Sequence, residues 1–160
     1  MRVMKSKTAY LILHNIRSAQ NVGSLFRTAD AAGISKIYLT GYTPAPLDKF
    51  NRPAKEIAKT ALGAEKSIPW EKISFEDCIE MLKKEKSFIV GIEQTKKSVH
   101  YRKVKPKFPI AFVLGNEVLG LDLKVISACD IVAELPMKGE KESLNVSVAG
   151  GIALFQILGV

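Results

Sequence analysis

Short apolar segments alternate along the chain with longer stretches in which apolar residues recur at helical spacing. The short segments are rich in β-branched residues and continuously apolar, a pattern typical of strands buried on both faces. They predict strands at 9–13, 34–39, 88–92, 110–114 and 131–135. The periodic stretches predict helices at 22–32, 54–64, 75–85, 122–128 and 144–158. This alternation predicts an α/β fold, with a mostly parallel sheet and helices on both faces.

The stretch Asn21–Asp30 (NVGSLFRTAD) contains one charged residue that helix formation does not explain. The apolar residues that define its buried face are Val22, Leu25, Phe26 and Ala29. Asn21 is predicted to be the N-cap, and Gly33 the left-handed residue that ends the helix. Arg27 stands among small and apolar residues. It is either an exposed helix residue or a group that meets a phosphate or a reacting hydroxyl.

Polar or glycine-rich segments follow the predicted strands. In open parallel sheets, ligands bind beyond the carboxyl ends of the strands. The segments at those ends are Asn15–Arg17, Thr40–Gly41, Glu93–Thr95, Gly115–Glu117 and Pro136–Gly139. The sequence therefore predicts a binding site at this edge of the sheet.

The composition adds a preference for a polyanionic partner. The formal net charge is +8 and the calculated pI is about 9.5. The charge is concentrated in the basic segment Lys96–Lys107, which contains no acidic residue and one aromatic residue, Tyr101. Such a segment is either a solvated loop or a surface that binds nucleic acid phosphates.

Several kinds of site are disfavoured by the residues present. No GxGxxG follows a predicted strand, and the glycines of Gly115–Gly120 are followed by Leu121-Asp122 instead of the lysine and serine or threonine of a P-loop. The two histidines, His14 and His100, cannot by themselves form a zinc site. No Ser-His-Asp set is recognisable. The sequence therefore predicts a site without a metal ion.

The remaining features predict a single cytoplasmic domain over residues 1–160. Cys78 and Cys129 have no CxxC spacing, which suits a reducing compartment. Thr8–Ile12 is too short for the apolar core of a secretory signal. Leu144–Val160 is shorter than a membrane-spanning helix and contains polar residues, so it is predicted to be a buried helix.

Three stretches of sequence occur in a fixed order: Asn21–Asp30, Phe112–Asp122 (FVLGNEVLGLD) and Leu135–Ala149 (LPMKGEKESLNVSVA). In this order and spacing they resemble the motifs of the SpoU (TrmH) family of RNA ribose 2′-O-methyltransferases, in the SPOUT class. Lys59–Glu65 and Gly91–Ser98 resemble connecting segments of the family, so the resemblance covers essentially the whole chain. It implies S-adenosyl-L-methionine as methyl donor and a trefoil knot at about residues 85–160.

The resemblance also implies roles for individual residues. The implied cofactor-binding residues are Ile92, Glu93, Leu114, Gly115, Asn116, Leu135, Met137 and Leu144. The implied catalytic residues are Asn21, Arg27, Glu117, Ser143 and Asn145. Arg27 would take the proton of the ribose 2′-hydroxyl, or orient that hydroxyl and stabilise its developing charge. Glu117 would hold Asn145 or Arg27, and Ser143 would also cap the last helix.

Family resemblance further implies a homodimer that binds structured RNA across both protomers. Without an additional RNA-binding domain, the domain itself would select the substrate, with tRNA slightly favoured over rRNA. The residues expected to contact RNA are Arg17, Lys59, Lys96, Lys97, Arg102 and Lys103, together with the loop Thr43–Pro53. Two alternatives stay open: a non-catalytic RNA-binding module on the same scaffold, and a SPOUT enzyme that methylates a base.

Overall fold

A computed structural model describes residues 7–160 of the chain. Within this range the strands form one parallel sheet of seven strands, in the order β3-β2-β1-β6-β4-β7-β5. The strands are β1 (Ala9–His14), β2 (Lys36–Thr40), β3 (Trp70–Lys72), β4 (Phe88–Ile92), β5 (Val99–His100), β6 (Ile110–Leu114) and β7 (Ile131–Glu134). The central strands β1, β6 and β4 are almost completely buried, as their continuous apolar sequences require.

Helices cover both faces of this sheet. They are α1 (Ala19–Ala32), α2 (Lys55–Ala61), α3 (Ala64–Ser67), α4 (Phe75–Lys84), α5 (Leu123–Ala128) and α6 (Val146–Leu158). One apolar cluster joins α1, α2, α3 and α6 to one face, and a second joins α4 and α5 to the other. The predicted fold class is therefore confirmed. The trefoil knot stays a prediction.

Two short strands, and a break in the helix expected over 54–64, were not predicted from the sequence. The strands β3 and β5, of three and two residues, lie at the two edges of the sheet and are too short to give a periodic signal. The helix predicted over 54–64 ends at Ala61, because Leu62 and Gly63 both adopt left-handed backbone angles, with φ of 52° and 96°. α3 then begins at Ala64.

The start of α1 also differs from the prediction. Ser18 is its N-cap, and the Ser18 hydroxyl accepts a hydrogen bond from the backbone N–H of Asn21. The prediction of Asn21 as the cap is wrong because the helix begins three residues earlier, so Asn21 lies in the first turn. The prediction for Gly33 is confirmed, since its φ of 80° ends the helix in the left-handed conformation.

The helix α6 is apolar on nearly all sides. Its buried face consists of Gly150, Ala153, Leu154 and Ile157. Gly150 allows a close approach to α1 and β6, because a Cβ atom there would lie 2.9 Å from Leu25 Cδ2 and 2.7 Å from Leu114 Cδ1. No helix in the described range is long and apolar enough to cross a membrane.

Candidate active site

A cavity of about 300 Å³ opens at the carboxyl ends of β4, β6 and β7. The segment that leads into α6 forms its remaining wall. The cavity is lined by all eight residues predicted to bind a cofactor: Ile92, Glu93, Leu114, Gly115, Asn116, Leu135, Met137 and Leu144. Glu117 and Ser143, two of the five predicted catalytic residues, also line it. The structure thus brings these ten residues together from four separate segments of the chain.

Six lining residues were not predicted: Gln94, Val118, Gly120, Glu142, Val146 and Ala149. Each is within four positions of a residue that was predicted. Proximity along the sequence could therefore have indicated them, although it does not tell which side chains face the cavity.

The loop after β6 is held in a tight turn by one asparagine. Asn116 Oδ1 accepts hydrogen bonds from the backbone N–H groups of Val118 and Leu119, both at 2.8 Å. Asn116 Nδ2 donates to the carbonyl oxygen of Asn15 at 3.1 Å and to the hydroxyl of Tyr42 at 2.8 Å. The Asn116 side chain therefore fixes the shape of the cavity wall and joins it to the ends of β1 and β2.

The loop after β6 folds back on Gly115 and leaves no room for a side chain there. A Cβ atom at Gly115 would lie 2.6 Å from Leu121 Cδ2 and 2.8 Å from the Gly120 carbonyl oxygen. The same turn brings Leu121 N–H to Glu93 Oε2 at 2.9 Å. Gly115 therefore allows Gly120 and Leu121 of the same loop to pack closely against the backbone, and it also leaves room for a ligand to come close.

The carboxylate of Glu117 anchors the beginning of α1. The backbone N–H of Arg17 lies 3.1 and 2.9 Å from its two oxygens, and the N–H of Ser18 lies 3.0 Å from Oε1. Asn21 Nδ2 donates to Oε1 at 3.2 Å. Burial raises the pKa of Glu117, but the hydrogen bonds from Ser18, Arg17 and Asn21 outweigh it and leave the pKa below its usual value.

This lowered pKa predicts a pH-dependent contribution of Glu117 to stability. Because the folded-state pKa lies below the unfolded value of about 4.3, the ionised carboxylate stabilises the fold above that pH. The contribution is lost as the pH falls through the folded-state pKa. Glu117→Gln is expected to lower the melting temperature at pH 7, and the difference from wild type should shrink below about pH 4. Thermal melts across this pH range measure the effect.

The control for this prediction is another carboxylate of the same cavity. Glu142 is exposed, and among residues 7–160 its side chain accepts no hydrogen bond. Glu142→Gln should therefore leave the melting temperature unchanged at both ends of the pH range. A Glu117→Gln difference that stays constant down to pH 3 would contradict the assignment.

Asn145 links this anchor to α6. Asn145 Nδ2 donates to Asn21 Oδ1 at 3.2 Å, and Asn145 Oδ1 accepts from the backbone N–H of Ser147 at 2.9 Å. Asn145 is thus the N-cap of α6, and the prediction that Ser143 caps this helix is wrong because the helix begins at Val146. A hydrogen-bonded chain runs from Glu117 through Asn21 to Asn145.

Arg27 lies apart from that chain. It is exposed on α1, is not among the residues that line the cavity, and within residues 7–160 has no hydrogen bond or ion pair. Six residues at about 100° each place it roughly 120° around α1 from Asn21. The prediction that Glu117 holds Arg27 is wrong, because the carboxylate accepts from Arg17, Ser18 and Asn21 instead. The predicted link from Glu117 to Asn145 is present, and it runs through Asn21. The structure brings four of the five predicted catalytic residues together and leaves Arg27 outside.

The cations predicted to bind RNA are all exposed: Arg17, Lys59, Lys96, Lys97, Arg102 and Lys103. Arg17 adjoins the cavity, since its N–H contacts Glu117. Lys96 and Lys97 follow the cavity residues Glu93 and Gln94. Lys59 lies on α2, whereas Arg102 and Lys103 belong to a short 3₁₀ helix, Tyr101–Lys103. In this helix the Arg102 guanidinium lies 5.6 Å from the ring centre of Tyr101.

Comparisons with known proteins agree with this arrangement. Residues 8–155 match the SpoU rRNA Methylase family. The 23S rRNA (guanosine-2′-O-)-methyltransferase RlmB of Pseudomonas aeruginosa is 34% identical over 149 residues, and the match spans 92% of this chain and 57% of that protein. The RlmB of Xylella fastidiosa is 33% identical over 148 residues, which is 91% of this chain and 56% of the relative.

Among solved structures, the AdoMet-bound rRNA methyltransferase of Sinorhizobium meliloti superimposes with a TM-score of 0.87 at 30% identity, over 96% of this chain and 56% of that chain. A TrmH/SpoU tRNA modifying enzyme of A. aeolicus superimposes with a TM-score of 0.82 at 27% identity, over 97% and 76% of the two chains. The chain therefore spans a little more than half of the length of the curated relatives reported above.

Proposed function

The chain belongs to the SpoU rRNA Methylase family, and from this premise we propose that it methylates the 2′-hydroxyl of a ribose in structured RNA with S-adenosyl-L-methionine as methyl donor. The observation that carries the proposal is the cavity at the carboxyl ends of β4, β6 and β7, because it collects every residue for which the resemblance implies cofactor contact. Two RlmB relatives named for 2′-O-methylation and an AdoMet-bound structural relative support it.

The lining of the cavity suits this cofactor. Leu135, Met137 and Leu144 offer apolar surface for the faces of an adenine ring, and backbone groups at the strand ends offer hydrogen bonds for its edge. The carboxylates of Glu93, Glu117 and Glu142 also line the cavity, and negative charge favours a ligand that carries a sulfonium cation. When bound, the cofactor supplies an electrophilic methyl group, so the protein mainly has to align the ribose oxygen and exclude water.

Arg27 is the residue proposed to act on the ribose hydroxyl. It is the one cation among the five implied catalytic residues, and its side chain has no polar partner in the described range, so its guanidinium is free to bind substrate oxygens. Arginine is normally protonated, which favours binding of the phosphate and stabilisation of negative charge that develops on the oxygen. Asn21 and Asn145 would hold α1 and α6 in position beside the cavity.

A homodimer would bring Arg27 to a cavity. The face of α6 opposite its buried side exposes 49% of Val148, 39% of Ile152 and 36% of Phe155, and these residues are spaced four and three apart. Such an apolar stripe suits burial against a second copy. The stripe adjoins α1, since a Cβ atom on Gly151 would lie 3.4 Å from Thr28 Cγ2. We infer that Arg27 of one protomer serves the cavity of its partner, and that RNA binds across both.

The RNA surface is proposed to extend from the cavity to the exposed cations that follow it. Arg17, Lys96, Lys97, Arg102 and Lys103 supply positive charge next to the site, and Lys59 lies on α2. We propose tRNA as the substrate to be tested against 23S rRNA. Mass spectrometry of nucleosides from each treated RNA identifies the product, because a 2′-O-methyl group stays on the ribose. A methyl group found on a base would instead support a base-methylating enzyme.

Cofactor binding is tested by isothermal titration of the protein with S-adenosyl-L-methionine. Leu144→Arg is expected to abolish the heat, because Leu144 lines the cavity and, being 39% exposed, can be replaced without opening the core. The matched control Leu123→Arg, at a site 81% exposed and outside the cavity, should bind as wild type does. Absence of binding by the wild-type protein would support the non-catalytic RNA-binding module.

A further inference from the structure

An aromatic ring stands exposed in the loop between β2 and α2. This 47–53 loop closes on itself, with an antiparallel bridge between Leu47 and Pro53 and a hydrogen bond from Asp48 N–H to the Arg52 carbonyl oxygen at 3.0 Å. Asn51 takes a left-handed conformation with φ of 60° and donates its N–H to the Asp48 carbonyl oxygen at 2.9 Å. The loop therefore has a defined backbone structure.

The side chain of Asp48 holds this structure together. Asp48 Oδ1 accepts from the N–H of Phe50 at 2.8 Å and from the N–H of Arg52 at 3.0 Å, and Oδ2 accepts from Arg52 Nε at 2.7 Å. The hydrogen bond from the Arg52 backbone is the main cause of a lowered pKa of Asp48. The carboxylate thus stays ionised and keeps Phe50 and Arg52 in fixed positions.

Phe50 points away from the core and is surrounded by cations. Its exposed fraction is 65%, the Lys49 ammonium lies 5.1 Å from its ring centre, and the Arg52 guanidinium lies 5.0 Å from it. An aromatic face next to two cations matches the two parts of a single-stranded nucleotide, because bases stack on aromatic rings and phosphates bind cations. Asp48 neutralises only part of this charge.

The position of the loop relates it to the cavity. The chain leaves β2 at the carboxyl edge of the sheet, which is also the edge where the cavity opens. Tyr42, which precedes the loop, accepts a hydrogen bond from the cavity residue Asn116. We propose that the 47–53 loop binds single-stranded RNA, with Phe50 stacked on an unpaired base and Lys49 and Arg52 bound to the flanking phosphates. Identification of the ligand as RNA rests on the proposed function.

A second copy of the chain fits this loop less well. The protein carries a formal net charge of +8, so two copies repel one another at a cationic loop tip, and interface cores are depleted of charged residues. The apolar stripe on α6 offers a surface of the opposite kind for self-association. An RNA strand supplies negative charge that balances the excess positive charge of Lys49 and Arg52 over Asp48.

The test compares a short fluorescent oligoadenylate with an oligomer of equal length that has the same sugar-phosphate chain without bases. Phe50→Ala is expected to weaken binding of the oligoadenylate about tenfold and to leave binding of the abasic oligomer unchanged, because only the former can stack. Phe50→Trp should retain the wild-type affinity. Leu123→Ala, which truncates an apolar side chain 81% exposed elsewhere, is the control and should change neither affinity.

The proposed contact between Lys49 and a phosphate is tested by a separate variant, Lys49→Met. Lys49→Met should weaken binding of both oligomers and reduce the salt dependence by roughly one counterion. Arg52 is left unchanged because it also holds Asp48. The proposal is overturned if Phe50→Ala weakens both oligomers equally, leaves both unchanged, or alters the oligomeric state in size-exclusion chromatography. Because no methyl donor is present, the result is independent of the cofactor titration, which tests the proposed function.

Discussion

Replacing Arg27 by alanine is expected to reduce methyl transfer by about 100-fold or more while cofactor affinity stays within about twofold of wild type. The reason is that the guanidinium is separate from the cavity that would hold the cofactor, yet is the free cation among the residues implied in catalysis. Single-turnover methylation of RNA and titration with S-adenosyl-L-methionine measure the two quantities. Full activity of Arg27→Ala would remove this residue from the reaction.

Two variants separate the chemistry from a general effect on α1. Gln20 lies seven residues before Arg27 and is exposed on nearly the same side of the helix. If the activity lost in Arg27→Ala reflects the guanidinium and not a general change in the exposed surface of α1, Gln20→Ala should retain activity. Arg27→Lys keeps the charge but lacks the planar fork that binds an oxyanion at two points, so its activity should stay well below that of wild type.

Mixed dimers decide which protomer supplies Arg27. Arg27→Ala and Leu144→Arg are each expected to be inactive alone. If Arg27 acts on the partner's cavity, random mixing restores roughly one quarter of the wild-type activity, because half of the dimers are mixed and each has one complete site. If Arg27 acts on the cavity of its own chain, mixing restores nothing. The second result would contradict the inferred arrangement and leave the role of Arg27 in catalysis intact.

Neutralising four cations of the basic segment is expected to weaken RNA binding strongly at low salt. The quadruple variant replaces Lys96, Lys97, Arg102 and Lys103, all exposed, by glutamine. If each cation contacts one phosphate, the slope of log K against log salt becomes shallower by roughly three, since each contact contributes about 0.7 to 0.9. Fluorescence anisotropy across a range of salt concentrations gives the slope. Cofactor affinity should not change.

The control removes positive charge from the other side of the molecule. Lys83, Lys84 and Lys86 are exposed at the amino end of β4, the end of the strand opposite the cavity. Replacing these three residues by glutamine lowers the net charge without touching the proposed RNA surface. A slope that falls equally per charge in both variants would show a non-specific effect of net charge, and would exclude the basic segment as the RNA-contacting surface.

Local patterns predicted most of the secondary structure because they report burial directly. The strands β4 and β6 were predicted with their observed boundaries, since a continuous apolar run bounded by polar residues ends where the strand leaves the core. The edge strands β3 and β5 were missed, because three and two residues are too few for a periodic signal. The break between α2 and α3 was missed because Leu62, a good helix former, adopts a left-handed conformation.

The resemblance to family motifs identified the cavity residues, and the structure explains how motifs that are far apart in the chain come together. The segments after β4, β6 and β7 meet because these three strands are neighbours in the sheet, although β5 and the basic segment intervene in sequence. Two N-caps were predicted at the wrong residues because the predicted starts of α1 and α6 were wrong. Ser18 and Asn145 replaced the predicted Asn21 and Ser143 because the helices begin three residues earlier and two residues later than their patterns indicated.

The sequence by itself determined which residues are buried, where most strands and helices lie, and which polar residues stand at the strand ends. Only the tertiary structure decided the hydrogen-bond partners of those polar residues and the separation of Arg27 from the cavity. Glu117 and Asn21 are 96 positions apart, and they meet because β6 lies beside β1 in the sheet. Apolar periodicity reports the burial of each segment but carries no information about strand order, so contacts between distant segments follow from the sheet alone.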